Sequence, residues 1–178
     1  NYFHMTKDNN NTTLFKSKLY NKIVELSRNK LLYSKFRLND SFQNRIYLIF
    51  IHLSFLLVRL KKNKQKPFLS LFNQNIFDYT FYKIELNMRE IGYGDIAVNK
   101  NMKMLVKDFY NILFFCEKYK DKTLENKTSF IKKYLSLNNT KNIDKNDGFI
   151  IYLDKYHAFC LDLSSDNVLK GELNYNYI

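Results

Sequence analysis

Three histidines (His4, His52, His157) and two cysteines (Cys116, Cys160) are the side chains in this sequence best able to move a proton, attack a carbonyl or hold a metal. Their spacing supports none of these. The cysteines are far apart, with no C-x-x-C and no His/Cys cluster, so reduced thiols and no structural zinc are the simplest reading. His52 lies inside an apolar run, where a lone imidazole is more often a hydrogen-bonded core group than a base or ligand, and His157 reads the same way. No Ser, Cys or carboxylate has an evident His partner, so no triad can be argued. Gly92-Tyr93-Gly94-Asp95-Ile96-Ala97 matches a dinucleotide fingerprint in letters only: that turn must follow a strand, and this one follows a helical pattern. Asp144-Lys145-Asn146-Asp147-Gly148 resembles the opening of a calcium loop. Its glycine comes one place early, however, and Lys155 stands where a bidentate Glu is required, so a turn is expected. The residues therefore imply no catalytic group, no metal, no cofactor and no small-molecule substrate: a binding protein and not an enzyme.

Charged residues at helical spacing carry a different kind of chemistry. Arg45, His52 and Arg59 recur every seven residues, as do Asp78 and Glu85, and Arg89 follows Glu85 by one turn. If the two segments fold back as an antiparallel hairpin turning near Gln65, His52 falls opposite Asp78 and Arg45 opposite Glu85. These four would then form a polar seam that fixes register within an apolar interface. The alternative is that the two stripes face solvent or other helices.

These residues sit in a chain of 178 residues with 46% hydrophobic and 17% aromatic side chains, enough to fill one core. Four Gly and one Pro, Pro67, are too few for the tight turns of a sandwich or barrel and favour long helices. Net charge is +12 with a pI near 9.5, which suits a polyanion partner: RNA, DNA or an anionic membrane face. An A/T-rich genome, visible in the abundance of Lys, Asn, Ile, Tyr and Phe, explains the same charge without a partner. Only five of the 29 basic residues are Arg (Arg28, Arg37, Arg45, Arg59 and Arg89), which hints at places where a planar fork is needed.

Residues 1–13 are expected to be a cloning remnant, Asn1 to His4, followed by a disordered start, leaving 14–178 as one helical domain. A first amphipathic helix covers about 14–33, with Phe15, Leu19, Ile23 and Leu26 on one side. Asn39 or Asp40 is placed to cap a second, running to about 62, whose apolar run is too short to span a bilayer. A basic turn with Lys61, Lys62, Lys64 and Lys66 leads to a third helix over about 68–91, which Gly92 stops. A fourth follows the 92–97 loop, with Met102, Leu105, Val106, Phe109, Leu113 and Cys116 as its stripe, and a short fifth covers 129–137. A polar loop reaches Gly148, and 149–163 reads as a helix, although Phe149-Ile150-Ile151-Tyr152 also fits a buried strand. The expected fold is all-α: one domain of about five to six helices with the antiparallel hairpin at its centre.

Several blocks resemble the ubiquinol–cytochrome c chaperone family. Residues 19–29 (LYNKIVELSRN) resemble its opening helix, and the segments from Asn44-Arg45 through His52-Leu53 to Arg59-Leu60 its second helix. The most specific block runs from Ile76-Phe77-Asp78-Tyr79 through Asn87-Met88-Arg89-Glu90-Ile91-Gly92-Tyr93-Gly94-Asp95-Ile96-Ala97-Val98 to Phe109-Tyr110. Gly171-Glu172-Leu173 extends it weakly. Glu85, Tyr93 and Asn99 depart from the usual Asp, small apolar residue and Pro. The resemblance implies an assembly chaperone that binds newly made cytochrome b for the cytochrome bc1 complex. It also implies a small partner subunit and the ribosome near its exit tunnel as partners, and a location in the mitochondrial matrix or, for a bacterial form, the cytoplasm or inner-membrane periphery. Arg89, Glu90, Gly92, Tyr93, Gly94 and Asp95 are the candidate partner contacts, with Asp95 either capping the next helix or bonding loop N–H groups; a purely structural cap is the alternative. Lys61, Lys62, Lys64 and Lys66 are the candidate anionic-surface contacts, expected to share a surface with others such as Lys103 and Lys107. Two rivals remain. A basic helical RNA- or DNA-binding domain requires basic residues on one face beside exposed aromatics. An enzyme using Asp78, Glu85 or His52 requires a concavity where those groups meet.

Overall fold

A computed structural model describes residues 2–62, 67–138 and 148–176, with the backbone alone for 2–13 and 67–71. The elements are α1 (Tyr2–Ser27), α2 (Lys30–Ser34), α3 (Phe42–Lys61), α4 (Pro67–Glu90), α5 (Asp95–Glu117), a 3-10 turn (Tyr119–Asp121), α6 (Leu124–Tyr134), α7 (Gly148–Asp162) and α8 (Ser165–Leu169). The fold is all-α. Among the described residues the one β contact is an isolated bridge, Leu38 to Leu137.

α3 is buried on every side from Ile46 to Val58 and is therefore the helix that others enclose. Leu48, Phe50, Ile51, Leu53, Leu56 and Leu60 are all fully buried, each contributing roughly 1.5–3 kcal/mol of transfer free energy. α1, α4, α5, α7 and α8 all pack on α3, most extensively α5. Around Phe50 the rings of Tyr47, Phe81 and Phe109 meet it at 5.3–6.2 Å, a cluster that ties α3 to α4 and α5.

Local chemistry sets the ends. Pro67 opens α4, a position where its missing N–H costs nothing. Ser41 caps α3 by accepting from the Asn44 N–H at 3.2 Å, in place of the expected Asn39 or Asp40. Thr123 and Asn126 form a reciprocal capping box at α6. The first helix differs from expectation at both ends. It continues back to Tyr2, helical backbone where disorder was expected, in a stretch that holds no Gly or Pro to stop it. It stops at Ser27, because Asn29 accepts from the Leu31 N–H and starts the separate α2. The segment from Gly148 to Asp162 is helix, not strand. The calcium-loop resemblance at 144–148 lies outside the described residues except for Gly148.

Gly171 shows why the tail needs a glycine. Its φ is +67°, and a Cβ there would lie 3.0 Å from the backbone of Lys18 and Leu19, so the chain can close against α1 only without a side chain. This closure places Leu173 in the core.

Candidate functional site

His52 is fully buried and is the polar knot of the fold. Its Nδ1 lies 2.6 Å from the Leu48 carbonyl, which can only accept, so Nδ1 carries the proton. Nε2 then accepts from the Tyr152 hydroxyl at 2.6 Å, and the His52 carbonyl accepts from the Tyr156 hydroxyl at 2.9 Å. Ser27 of α1 approaches Nδ1 at 3.4 Å. Burial pushes the imidazole down to about 4, partly offset by the bond to Leu48, so it is neutral with both nitrogens occupied. That is the hydrogen-bonded core histidine expected from the sequence.

The polar seam does not form. Arg45 turns to Asp40, with Nε–Oδ1 at 2.7 Å and a second bond at 3.0 Å. Asp78 accepts from the Gln74 amide at 2.8 Å, and Glu85 pairs with Arg89 at 3.0 Å. The physical reason is the face presented. The Arg45/His52/Arg59 stripe of α3 looks towards the 39–40 loop, α1, α7 and the Leu163 carbonyl, which Arg59 contacts at 2.9 Å. α4 covers another side, through Phe81, and the Asp78 and Glu85 positions lie outward. The Arg45–Asp40 pair is exposed, so solvent screens it and it adds little to stability. His52, Asp78 and Glu85 therefore share no concavity, and the described clefts are lined by other residues. No described group of three His, Cys, Asp or Glu side chains converges as metal ligands would.

The corner between α4 and α5 is built from its backbone outward. Gly92 has φ +97°, the Gly92 N–H donates to the Arg89 carbonyl, and the Tyr93 N–H donates to the Met88 carbonyl, both at 3.0 Å. This is a Schellman closure, as the helix-stopping glycine implied. Gly94 is the N-cap of α5 and makes no side-chain cap bond. Asp95 neither caps nor bonds loop N–H groups: it sits in the first turn and pairs with Arg89, whose planar fork spans Asp95 and Glu85 together. Tyr93 rests edge-on against Phe42 at 6.4 Å. The rigid corner exposes apolar surface: Ile91 is 55% exposed, Tyr93 39% and Ile96 87%. Arg89 and Glu90 beside them are also exposed.

Of the basic turn, Lys61 is taken by Glu117 at 2.6 Å and Lys62 is exposed, while Lys64 and Lys66 lie outside the described residues. Sequence reasoning set Lys103 and Lys107 on one anionic-contact surface with the basic turn, but missed the apolar residues that share the outward side of α5 with them. Spacing alone would have exposed that side, because Ile96, Lys100, Lys103, Lys107, Tyr110 and Phe114 repeat at four and three on the side opposite the buried stripe. Among the described residues no helix is long and apolar enough to cross a membrane.

The profile of the ubiquinol-cytochrome C chaperone family matches residues 34–174. The solved structure of a Cbp3 homolog from Brucella abortus superimposes with a TM-score of 0.80 at 20% identity, covering 99% of this chain and 96% of that one. At that identity it shows the shared fold. No curated protein matches the chain.

Proposed function

We propose a client-binding function from one premise: the chain belongs to the ubiquinol-cytochrome C chaperone family. The specific reading is an assembly factor that holds newly made cytochrome b while the cytochrome bc1 complex is built. One structural observation carries it. A corner closed by the Gly92 turn presents three apolar side chains, Ile91, Tyr93 and Ile96, together to solvent. An unassembled membrane protein exposes apolar segments of the kind such a surface can cover. Arg89, Glu90, Gly92, Gly94 and Asp95 frame the contact, and the fork of Arg89 keeps its angle fixed. Binding, not bond chemistry, is the task these residues suit. The resemblance extends to a small partner subunit and to a place near the ribosomal exit tunnel, and these belong to the same proposal.

The test is translation of cytochrome b in the presence of the full chain carrying a photoreactive residue at position 93. Crosslinks to cytochrome b that disappear in the Ile91→Asp variant are expected. Equal crosslinking to an unrelated translated membrane protein would overturn the assignment of the client. Basic residues beside exposed aromatics on α5 also fit the nucleic-acid reading, and that surface is treated next.

A further inference from the structure

We propose that the outward face of α5 is a peripheral contact for an anionic lipid bilayer, with its lysines meeting headgroup phosphates and its apolar side chains entering the headgroup layer. This goes beyond the client reading and does not depend on it.

α5 carries two stripes with the same rhythm. Val98, Leu105, Phe109, Ile112 and Cys116 are buried in the core. Ile96, Lys100, Lys103, Lys107, Tyr110 and Phe114 form the other stripe, and every one of them is exposed. A helix needs one apolar side to dock on its own domain, so the inner stripe accounts for folding. The outer stripe runs for about 27 Å. It displays Ile96 at 87% exposure, Tyr110 at 54% and Phe114 at 57%, with Met104 beside them at 44%.

The charge on this face is one-sided. α5 holds three carboxylates, and each is engaged elsewhere: Asp95 by Arg89, Asp108 by the Tyr47 hydroxyl at 2.7 Å, and Glu117 by Lys61. Its three lysines, Lys100, Lys103 and Lys107, make no ion pair among the described residues. The next turn adds Lys118, whose ammonium lies 4.7 Å from the centre of the Phe114 ring. The surface is thus cationic and apolar at once, which is the chemistry of a helix lying in the plane of an anionic interface.

Two features favour a bilayer over RNA. Ile96 and Met104 are aliphatic and cannot stack on bases, whereas both gain by leaving water for the acyl boundary. The cations are lysines, which act as mobile point charges; the forked Arg89, suited to bidentate phosphate recognition, is committed to Glu85 and Asp95. Among the described residues no helix is long and apolar enough to cross a membrane, so the contact proposed for these residues is with the headgroup layer.

The experiment uses the full chain with vesicles of phosphatidylcholine alone, or of phosphatidylcholine with about 30% phosphatidylglycerol. Sedimentation with the anionic vesicles only, falling steeply with salt, is expected. The Lys100→Glu/Lys103→Glu/Lys107→Glu variant should weaken that partition at least about tenfold. The matched reversal Lys120→Glu/Lys132→Glu/Lys170→Glu, at exposed positions on other elements, should change it less than about threefold. The corresponding Lys→Gln variant of the first triple repeats the test without new carboxylates. The chain has no Trp, so Phe114→Trp gives a clean reporter, whose emission should move to the blue on anionic vesicles. Three results would each overturn the proposal. One is equal loss of binding in the control reversal. Another is an indole at position 114 that stays in water while the Phe114→Trp protein sediments. The third is tighter binding to polyuridylate than to vesicles at matched phosphate, lost in the α5 triple, which would assign the face to nucleic acid. The vesicles contain no protein, so failure here leaves the client reading standing, and failure of the client crosslink leaves this one.

Discussion

The interior around His52 and the outer face of α5 invert the usual placement of polar and apolar groups, in opposite directions. At His52 a polar ring is fully enclosed, and every polar atom it offers is matched by Leu48, Tyr152 or Tyr156. On α5 large apolar side chains face water between lysines that pair with no carboxylate among the described residues. The first inversion is accounted for by folding: satisfied buried bonds specify how α7 seats on α3. The second has such an account only at Tyr110, whose ring packs against Phe77 at 5.7 Å; Ile96 and Phe114 lie further out in solvent. A polar group inside is therefore the poorer guide to function here, and an apolar group outside the better one.

The largest expected effect contrasts two rings on one helix. Phe109 is 1% exposed and meets Phe50, Phe77 and Phe81, while Phe114 is 57% exposed. Phe109→Ala should cost about 3–5 kcal/mol through lost burial and the cavity left behind. Phe114→Ala should stay within about 0.5 kcal/mol. Urea denaturation of both variants measures the pair. A comparable loss for Phe114→Ala would make the outer stripe structural and remove the contrast.

The next effect belongs to His52. Burial holds the folded imidazole at about 4, whereas an unfolded histidine protonates near 6.5. The unfolded state therefore takes up the proton first as pH falls. Stability is full above the unfolded value and drains away towards the folded one, by about 2 kcal/mol between pH 7.5 and 5. Half-buried His157, lowered by burial and by Lys62 and Lys127, adds in the same direction. His52→Gln should lower stability at neutral pH yet flatten most of this slope in denaturation curves taken across the interval. An unchanged slope would show that the core imidazole is not what titrates.

Much of this was legible because the informative residues are local. Gly92 as a helix stop, the long apolar run of α3 and the buried stripe of α5 all follow from backbone preference and period, which operate over a few residues. α7 is different: its short apolar run fits strand or helix, and it takes its helical form in packing on α3. The seam failed because it needed long-range geometry. Seven-residue spacing shows that Arg45 and His52 share a face, but not which helix that face meets. Asp40, only five residues from Arg45, was the nearer partner. The role of Arg89 was half visible: its pairing with Glu85 is a local one-turn contact, while its reach to Asp95 depends on the turn that Gly92 makes. The apolar half of the outer stripe of α5 was overlooked for another reason, although Lys103 and Lys107 were already expected on an anionic-contact surface. A Lys every turn looks like an ordinary solvated face until exposure of Ile96, Tyr110 and Phe114 shows that apolar side chains share it.

The smallest expected effect on stability is also the one that separates the two roles of the α4–α5 corner. Asp95 is exposed, and its bond to Arg89 lies in water where screening leaves it weak, so Asp95→Ala should leave stability nearly unchanged. Gly92→Ala meets no atoms but forces a side chain to φ +97°, and should cost somewhat more, about 1–2 kcal/mol, through backbone strain alone. If the corner is a client contact, Asp95→Ala frees the Arg89 fork and blurs the placement of Ile91 and Tyr93. Capture of translated cytochrome b should then fall several-fold while the melting temperature holds. If the corner is only a cap, both variants lose client binding in proportion to the stability they lose. Measuring capture against melting temperature for the two variants decides between them: points on one line belong to a cap, and an Asp95→Ala point far below the line to a binding surface.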